Sequence, residues 1–225
     1  MELRLVNDSV RTLLIVLAGI FFLALTGCGG ILKQPPVAKG YFAIETSVAS
    51  ENSNSAAPAA HRAGVLRVGT IRVSPPYDAA TFVYRLGPTQ FDTDYYNNFI
   101  APPASLLTGS LVQWLDTHGP MTVVDSASGL QSKLRLEGNV TDFYIDSSNK
   151  AAPTAVVGGR FFLIRQYQNA DELGLELPFH ETAPVRSRSP ADFAAALSEA
   201  WQRVLAKLTQ ALDHEVSQKP PRRAG

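Results

Sequence analysis

From Ser189 to Leu212 the chain sets Phe193, Leu197, Ala200, Trp201, Val204, Leu205, Leu208 and Leu212 at steps of three and four residues. That spacing brings all eight to one side of an α-helix. Ser189 stands where an N-cap belongs, Pro190 takes the first helical position, and Asp192 lies beside the positive end of the helix dipole. Such a stripe cannot face water, so the helix must lie on a second apolar layer. That layer is either a sheet built by the rest of this chain or, as the alternative, a groove on a partner.

The preceding residues contain the material for a sheet. "YFAIET" begins a short strand at Tyr41, and "GVLRVGTIRVSPPY" alternates Leu66, Val68, Ile71 and Val73 with polar residues across a phase shift at Gly69-Thr70 that a bulge or bend explains. "TFVYRLGPTQFDTD" predicts a hairpin about Gly87-Pro88. Leu107, Leu111, Trp114 and Leu115 predict a helix over 104–117 with Pro103 in its first turn, closed by His118-Gly119-Pro120. "MTVVD", "KLRLEGNVTDFYID" and "AVVGGRFFLIRQYQ" read as strands. A turn over Asp171–Gly174 is expected next, followed by a last strand in "LELPFHETAPV". The order predicts an α+β fold: one mixed or antiparallel sheet covered by two helices.

The N-terminal region has a different composition. Arg4 and Arg11 precede an uncharged run from about Leu13 to Leu25, too short for a comfortable membrane span of about 20 residues and suited to a secretory signal. "LTGC" follows, ending in Cys28, the single cysteine of the chain. With no second cysteine there is no internal disulfide, and no histidine lies near enough in sequence to make a redox or catalytic thiol the simpler reading. The tetrapeptide resembles the lipobox of bacterial lipoproteins. The resemblance implies removal of residues 1–27, a diacylglycerol on the sulfur of Cys28 and an acyl group on its new amino terminus. No other cofactor is expected. By resemblance to lipoprotein sorting in Gram-negative bacteria, where an Asp after the lipidated Cys favours inner-membrane retention, Gly29 implies the periplasmic face of the outer membrane, with the inner membrane as the alternative.

Residues 28–39 read as a tether, 40–216 as the domain, and 217–225 as a disordered basic tail. Within the domain the small polar residues 47–63 read as a flexible loop. Roughly 200 residues remain after signal removal, enough for one core. The chain carries 20 Lys plus Arg against 20 Asp plus Glu, so no global field invites nucleic acid.

Catalytic signatures are missing from the sequence. His61, His118, His180 and His214 lack metal-ligand spacing, with His61 a loop residue and His118 suited to a helix C-terminus. No serine sits in a nucleophile elbow, and Gly158-Gly159-Arg160 marks a strand bulge rather than a phosphate loop. Asp92 and Asp94 are expected to pair with Arg85 across the hairpin. The chain is read as no enzyme.

"LRVGTIRVSPPYDAATFVYRLG", "DTDYYNNFIAPPASLLTGSLVQWL" and the Ser-Pro-Ala-Asp-Phe to Trp201 helix resemble the ABC-type transport auxiliary lipoprotein family, PqiC-like proteins associated with MCE-domain lipid transport systems. The resemblance implies a fold similar to the TolB N-terminal domain. It also implies an auxiliary role in intermembrane lipid transport, with MCE-domain or ABC transport proteins as partners and a homo-oligomer left open. An independent periplasmic lipid carrier is the alternative. Tyr84, Arg85, Tyr95, Tyr96 and Phe99 are the candidate partner interface, because Tyr, Phe and Arg combine large area with polar handles; ordinary sheet packing is the competing account.

Overall fold

The computed structural model describes residues 38–46, 62–167 and 170–218. The expected signal peptide, Cys28, nearly all of the tether, His61, residues 47–61 and the tail beyond Gln218 lie outside the described residues. Every element named below belongs to the unit that begins at Lys39.

One nine-stranded mixed sheet organises this unit. Its spine is β7, Leu134–Asp146. Three short strands run parallel to one edge of β7 in succession: β2 (Val65–Val68), β3 (Arg72–Val73) and β4 (Thr81–Arg85). The expected irregularity at Gly69-Thr70 is the gap between β2 and β3, and the Gly69 N–H still reaches the carbonyl of Leu136 at 2.9 Å. Pro75–Tyr77 form a 3-10 turn that ends the run.

Beyond β4 the sheet continues through β5, Phe91–Phe99, in antiparallel pairing. It ends at β1, Gly40–Phe42, parallel to β5. At the other end β6, Thr122–Val124, pairs with β2. The opposite edge of β7 carries β8 (Thr154–Gln166), and β8 carries β9 (Asp171–Pro184), both antiparallel.

Two helices cover one face. Pro103–His118 is α1 and Pro190–Gln218 is α2, which runs two residues past the expected end of the domain. All eight stripe residues of α2 are buried, so the apolar layer it requires is this chain's own sheet. The cap is as expected: the Asp192 N–H donates to the Ser189 hydroxyl at 3.1 Å, and that hydroxyl donates back to the Asp192 carboxylate at 2.9 Å. Trp201, fully buried, packs against Phe161 and Phe179 and donates its indole N–H to Ser110 of α1 at 2.8 Å. Trp114 returns the contact, donating to Thr209 of α2 at 3.0 Å. Buried indoles are stable only when the N–H finds an acceptor, and each helix supplies one for the other.

Two local expectations need correction. Asp171–Gly174 is no turn: Asp171, Glu172 and Leu173 already pair with Gln166, Arg165 and Ile164 in β9, and the reversal falls earlier, where the Tyr167 N–H donates to the Ala170 carbonyl. Gly174 is the extra residue of a bulge between Leu173 and Leu175, and a Cβ there would come within 2.8 Å of Arg165 Nε. Gly158 and Gly159 do face a bulge, but the unpaired residue is Thr141 of β7. Gly159 is required because a Cβ would overlap the Asn139 carbonyl and stand 2.9 Å from the Phe179 ring.

Candidate functional site

The sheet edge made by β4, β5 and β1 holds the aromatic cluster singled out in the sequence. Its shape depends on Asp94. Pairing between β4 and β5 jumps from Thr81 and Asn98 to Val83 and Thr93, so β5 carries extra residues that must bulge outward. Asp94 closes that bulge. One carboxylate oxygen accepts the N–H groups of Tyr96 (2.9 Å) and Asn97 (3.0 Å), and the other accepts the Asn97 side-chain amide (2.9 Å) and the Tyr84 hydroxyl (2.8 Å). Its carbonyl takes the Thr81 hydroxyl at 2.6 Å. Burial pushes the Asp94 carboxyl upward, but the donors from Asn97, Tyr84 and Tyr96 outweigh it and hold the group below the usual carboxylate range. The same contact works in reverse on Tyr84, whose hydroxyl is raised far above its ordinary value by burial and then by Asp94.

A bulge fixed in this way leaves its middle side chains outside. Tyr95 is 71% exposed and Tyr96 45%, with their rings edge to face at 5.1 Å. Lys39 places its ammonium 4.7 Å from the centre of the Tyr95 ring.

The five residues proposed from sequence therefore divide. Phe99 is 3% exposed and packs between Phe82 and Phe143 in the core, so it can touch no partner. Tyr84 points to the helix side, against Phe193 at 5.4 Å. Arg85 emerges at the end of the hairpin on the opposite face, where it pairs with Asp146 at 3.5 Å and with the Tyr144 hydroxyl at 3.4 Å. The expected pairing of Arg85 with Asp92 or Asp94 does not form, because β4 lies between β5 and β7 and Arg85 reaches toward β7, while Asp94 is committed to the bulge. Tyr95 and Tyr96 stand on the surface.

Beside Arg85 a small second cluster of Val83, Tyr144 and Val156, with Tyr77 against it, lies on the face the helices leave open. Phe91 caps this cluster, its ring 5.8 Å from Tyr144. Sequence reasoning missed Phe91, Tyr41 and Ile100 as surface groups. The period-2 alternation of β1 would have separated Tyr41 from Phe42, which packs on Phe82.

Of the histidines, His118 stacks on Trp114 and bonds its carbonyl at 3.1 Å at the end of α1, and His180 and His214 are exposed and apart. Among the described residues no group of three His, Cys, Asp or Glu side chains could hold a metal, and no helix is long and apolar enough to cross a membrane.

The sequence profile of the ABC-type transport auxiliary lipoprotein component matches residues 45–209, most of the described body. The chain belongs to that family. Two solved structures share the fold of this auxiliary lipoprotein. A crystal structure of an uncharacterized protein has 19% identity and a TM-score of 0.60, with 78% of this chain and 99% of that one covered. Protein XCC0632 from Xanthomonas campestris, described under DUF330, has 17% identity and a TM-score of 0.60, with 83% and 94% covered. No curated protein matches the chain. The α+β fold read from the sequence, one mixed sheet with two helices, is the fold of these relatives. Family membership makes the chain an auxiliary component of transport, outside the enzyme families, and associates it with transport components and a membrane-anchored periplasmic setting.

Proposed function

We propose that this lipoprotein serves an ABC/MCE-type intermembrane lipid transport system by docking partner proteins at the periplasmic face of the outer membrane, held there by lipid on Cys28. The observation that carries this reading is the family match over residues 45–209. Its lipobox "LTGC" and Gly29 support the anchor and its address. The docking surface we assign is the hairpin end, where Arg85, Leu86 and Phe91 emerge together. Leu86 and Phe91 are exposed, and Asp146 and Tyr144 fix the guanidinium so that little side-chain entropy is lost on contact.

Gentle extraction of the tagged, lipidated protein from its host envelope, followed by mass spectrometry, tests the reading. An MCE-domain protein should co-purify at comparable stoichiometry. Arg85→Ala with Phe91→Ala should reduce that recovery at least about tenfold, the effect of losing roughly 1.4 kcal/mol or more at a hot spot. Recovery of the wild-type protein alone would count against docking.

One feature favours the second reading, an independent lipid carrier. A cavity of about 680 Å³ opens between the start of β7, the end of β8 and the last turns of α2, with Met121, Leu134, Leu163 and Val216 as apolar walls and the Arg165–Glu215 ion pair at its side. That volume is within the range of roughly 300–1,000 Å³ typical of ligand pockets. Phospholipid extracted from the purified protein would support the carrier.

A further inference from the structure

We propose that the corner formed by Lys39, Tyr41, Tyr95, Tyr96 and Ile100 rests on the phospholipid surface and sets the orientation of the domain above the membrane. The inference rests on the lipid-anchor reading of Cys28 and is separate from the docking surface at Arg85, Leu86 and Phe91.

The corner is built by the pairing of β1 with β5. Tyr41 lies in register with Asn98, and Phe42 with the core residue Phe99, so Phe42 is drawn inward while Tyr41 stays on the surface. Ile100 follows Phe99 and donates its N–H to the Phe42 carbonyl at 2.8 Å. Tyr41 is 65% and Ile100 67% exposed, which with Tyr95 and Tyr96 concentrates four large side chains at one edge. Large apolar side chains gathered on one part of a surface mark an interaction site more often than scattered ones do.

The composition suits a lipid headgroup region. Tyrosine rings are apolar with one polar end and settle at the membrane–water interface, and a lysine on a long apolar stem can reach lipid phosphates. Lys39 supplies that cation next to Tyr95. The Asp94 carboxylate is turned inward onto four donors, and Asp92 accepts the Thr93 N–H at 2.8 Å.

Chain length selects lipid over a protein partner. The roughly eleven residues from Cys28 to Lys39 can span at most about 40 Å, and an unstructured chain of that length averages about 20 Å. The described fold takes up the chain at Lys39, beside Tyr95, so under the lipid-anchor reading this corner is where the short tether joins the domain.

Brominated phospholipid provides the test, because it quenches only indoles at the membrane. The native Trp114 and Trp201 are buried and contribute a steady background. Lipidated Tyr95→Trp and, separately, Ile100→Trp would be floated with phosphatidylethanolamine/phosphatidylglycerol vesicles containing the brominated lipid. Leu173→Trp is the control, exposed on β9 and outside the lining of the cavity beside α2. Both corner variants should lose roughly half or more of their added emission, as expected at headgroup depth, while the control keeps its own. Proteins that float with neither corner variant quenched overturn the inference and leave the anchor standing. Quenching of the control to the same degree overturns it too, since contact would then lack orientation. Failure to float shows that the Cys28 reading itself is wrong, and the corner inference falls with it.

Discussion

Asp94 is an acid whose pairing could not be read from its sequence neighbours. An Asp three residues before an Asn and ten after a Tyr looks like a surface charge, and only the outward bulge of β5 brings Tyr84, Tyr96 and Asn97 onto one carboxylate. Its depressed folded pKa means that the charged form contributes stability above the ordinary carboxylate value. That stability is lost as pH falls through the lower folded value, below about pH 4. Asp94→Asn should therefore lower stability at neutral pH by about 1.5–3 kcal/mol, the worth of hydrogen bonds to a charged group. The gap from wild type should close in acid, which thermal unfolding across pH will measure. A variant equally destabilised at pH 2 and pH 7 would contradict the assignment. Trp201 presents a second residue-scale case, since its burial was legible from the stripe but its acceptor on another helix was not. Ser110→Ala leaves the indole N–H unsatisfied and should cost about 1–3 kcal/mol. In a Trp201→Phe background the same change should cost much less, and denaturant unfolding of the four proteins in that cycle reads the difference.

At the scale of elements, local chemistry decides what was legible. The α2 boundary was readable because Ser189, Pro190 and Asp192 act within one turn of each other. Ser189→Ala should cost about 1 kcal/mol in equilibrium unfolding, within the 0.5–2 kcal/mol range of cap losses. The β8–β9 turn was misplaced because Gly174 carries two meanings. A glycine beside charged residues signals a turn, yet the same residue serves a bulge, and only pairing with Leu163 and Ile164 tells them apart. Gly159 shows the converse: its position in a strand suggested irregularity, and the structure supplies the Asn139 carbonyl and Phe179 ring that exclude a side chain. Gly159→Ala should destabilise by about 1–3 kcal/mol or more through overpacking, against near neutrality for an exposed glycine-to-alanine change such as Gly129→Ala; paired melting curves compare them.

For the whole molecule, β7 joins parts of the chain far apart in sequence. Residues 65–85 line one of its edges and residues 154–166 the other, so the sheet closes only after much of the chain is made. Among the described residues, α1 and α2 are joined by the Trp114–Thr209 and Trp201–Ser110 hydrogen bonds, all from residues well beyond Cys28. The Cys28→Ser protein should accordingly leave the membrane fraction while keeping the wild-type unfolding midpoint. Fractionation and thermal unfolding of the same preparation check both halves, and a variant that still sediments with outer membrane defeats the lipid anchor.

By itself the sequence determined the helices, most strands and the α+β class, because each follows from periodicity, caps and turn residues acting over a few positions. The family resemblance rested on similarly local stretches. Tertiary structure alone decided which aromatics are available. Phe99 and Tyr95 lie four residues apart in one strand, yet one is core and the other surface, because extra residues between Val83 and Thr81's partners force a bulge that Asp94 holds outward. Exposure in a sheet depends on register with distant strands, and that register is a property of the assembled fold.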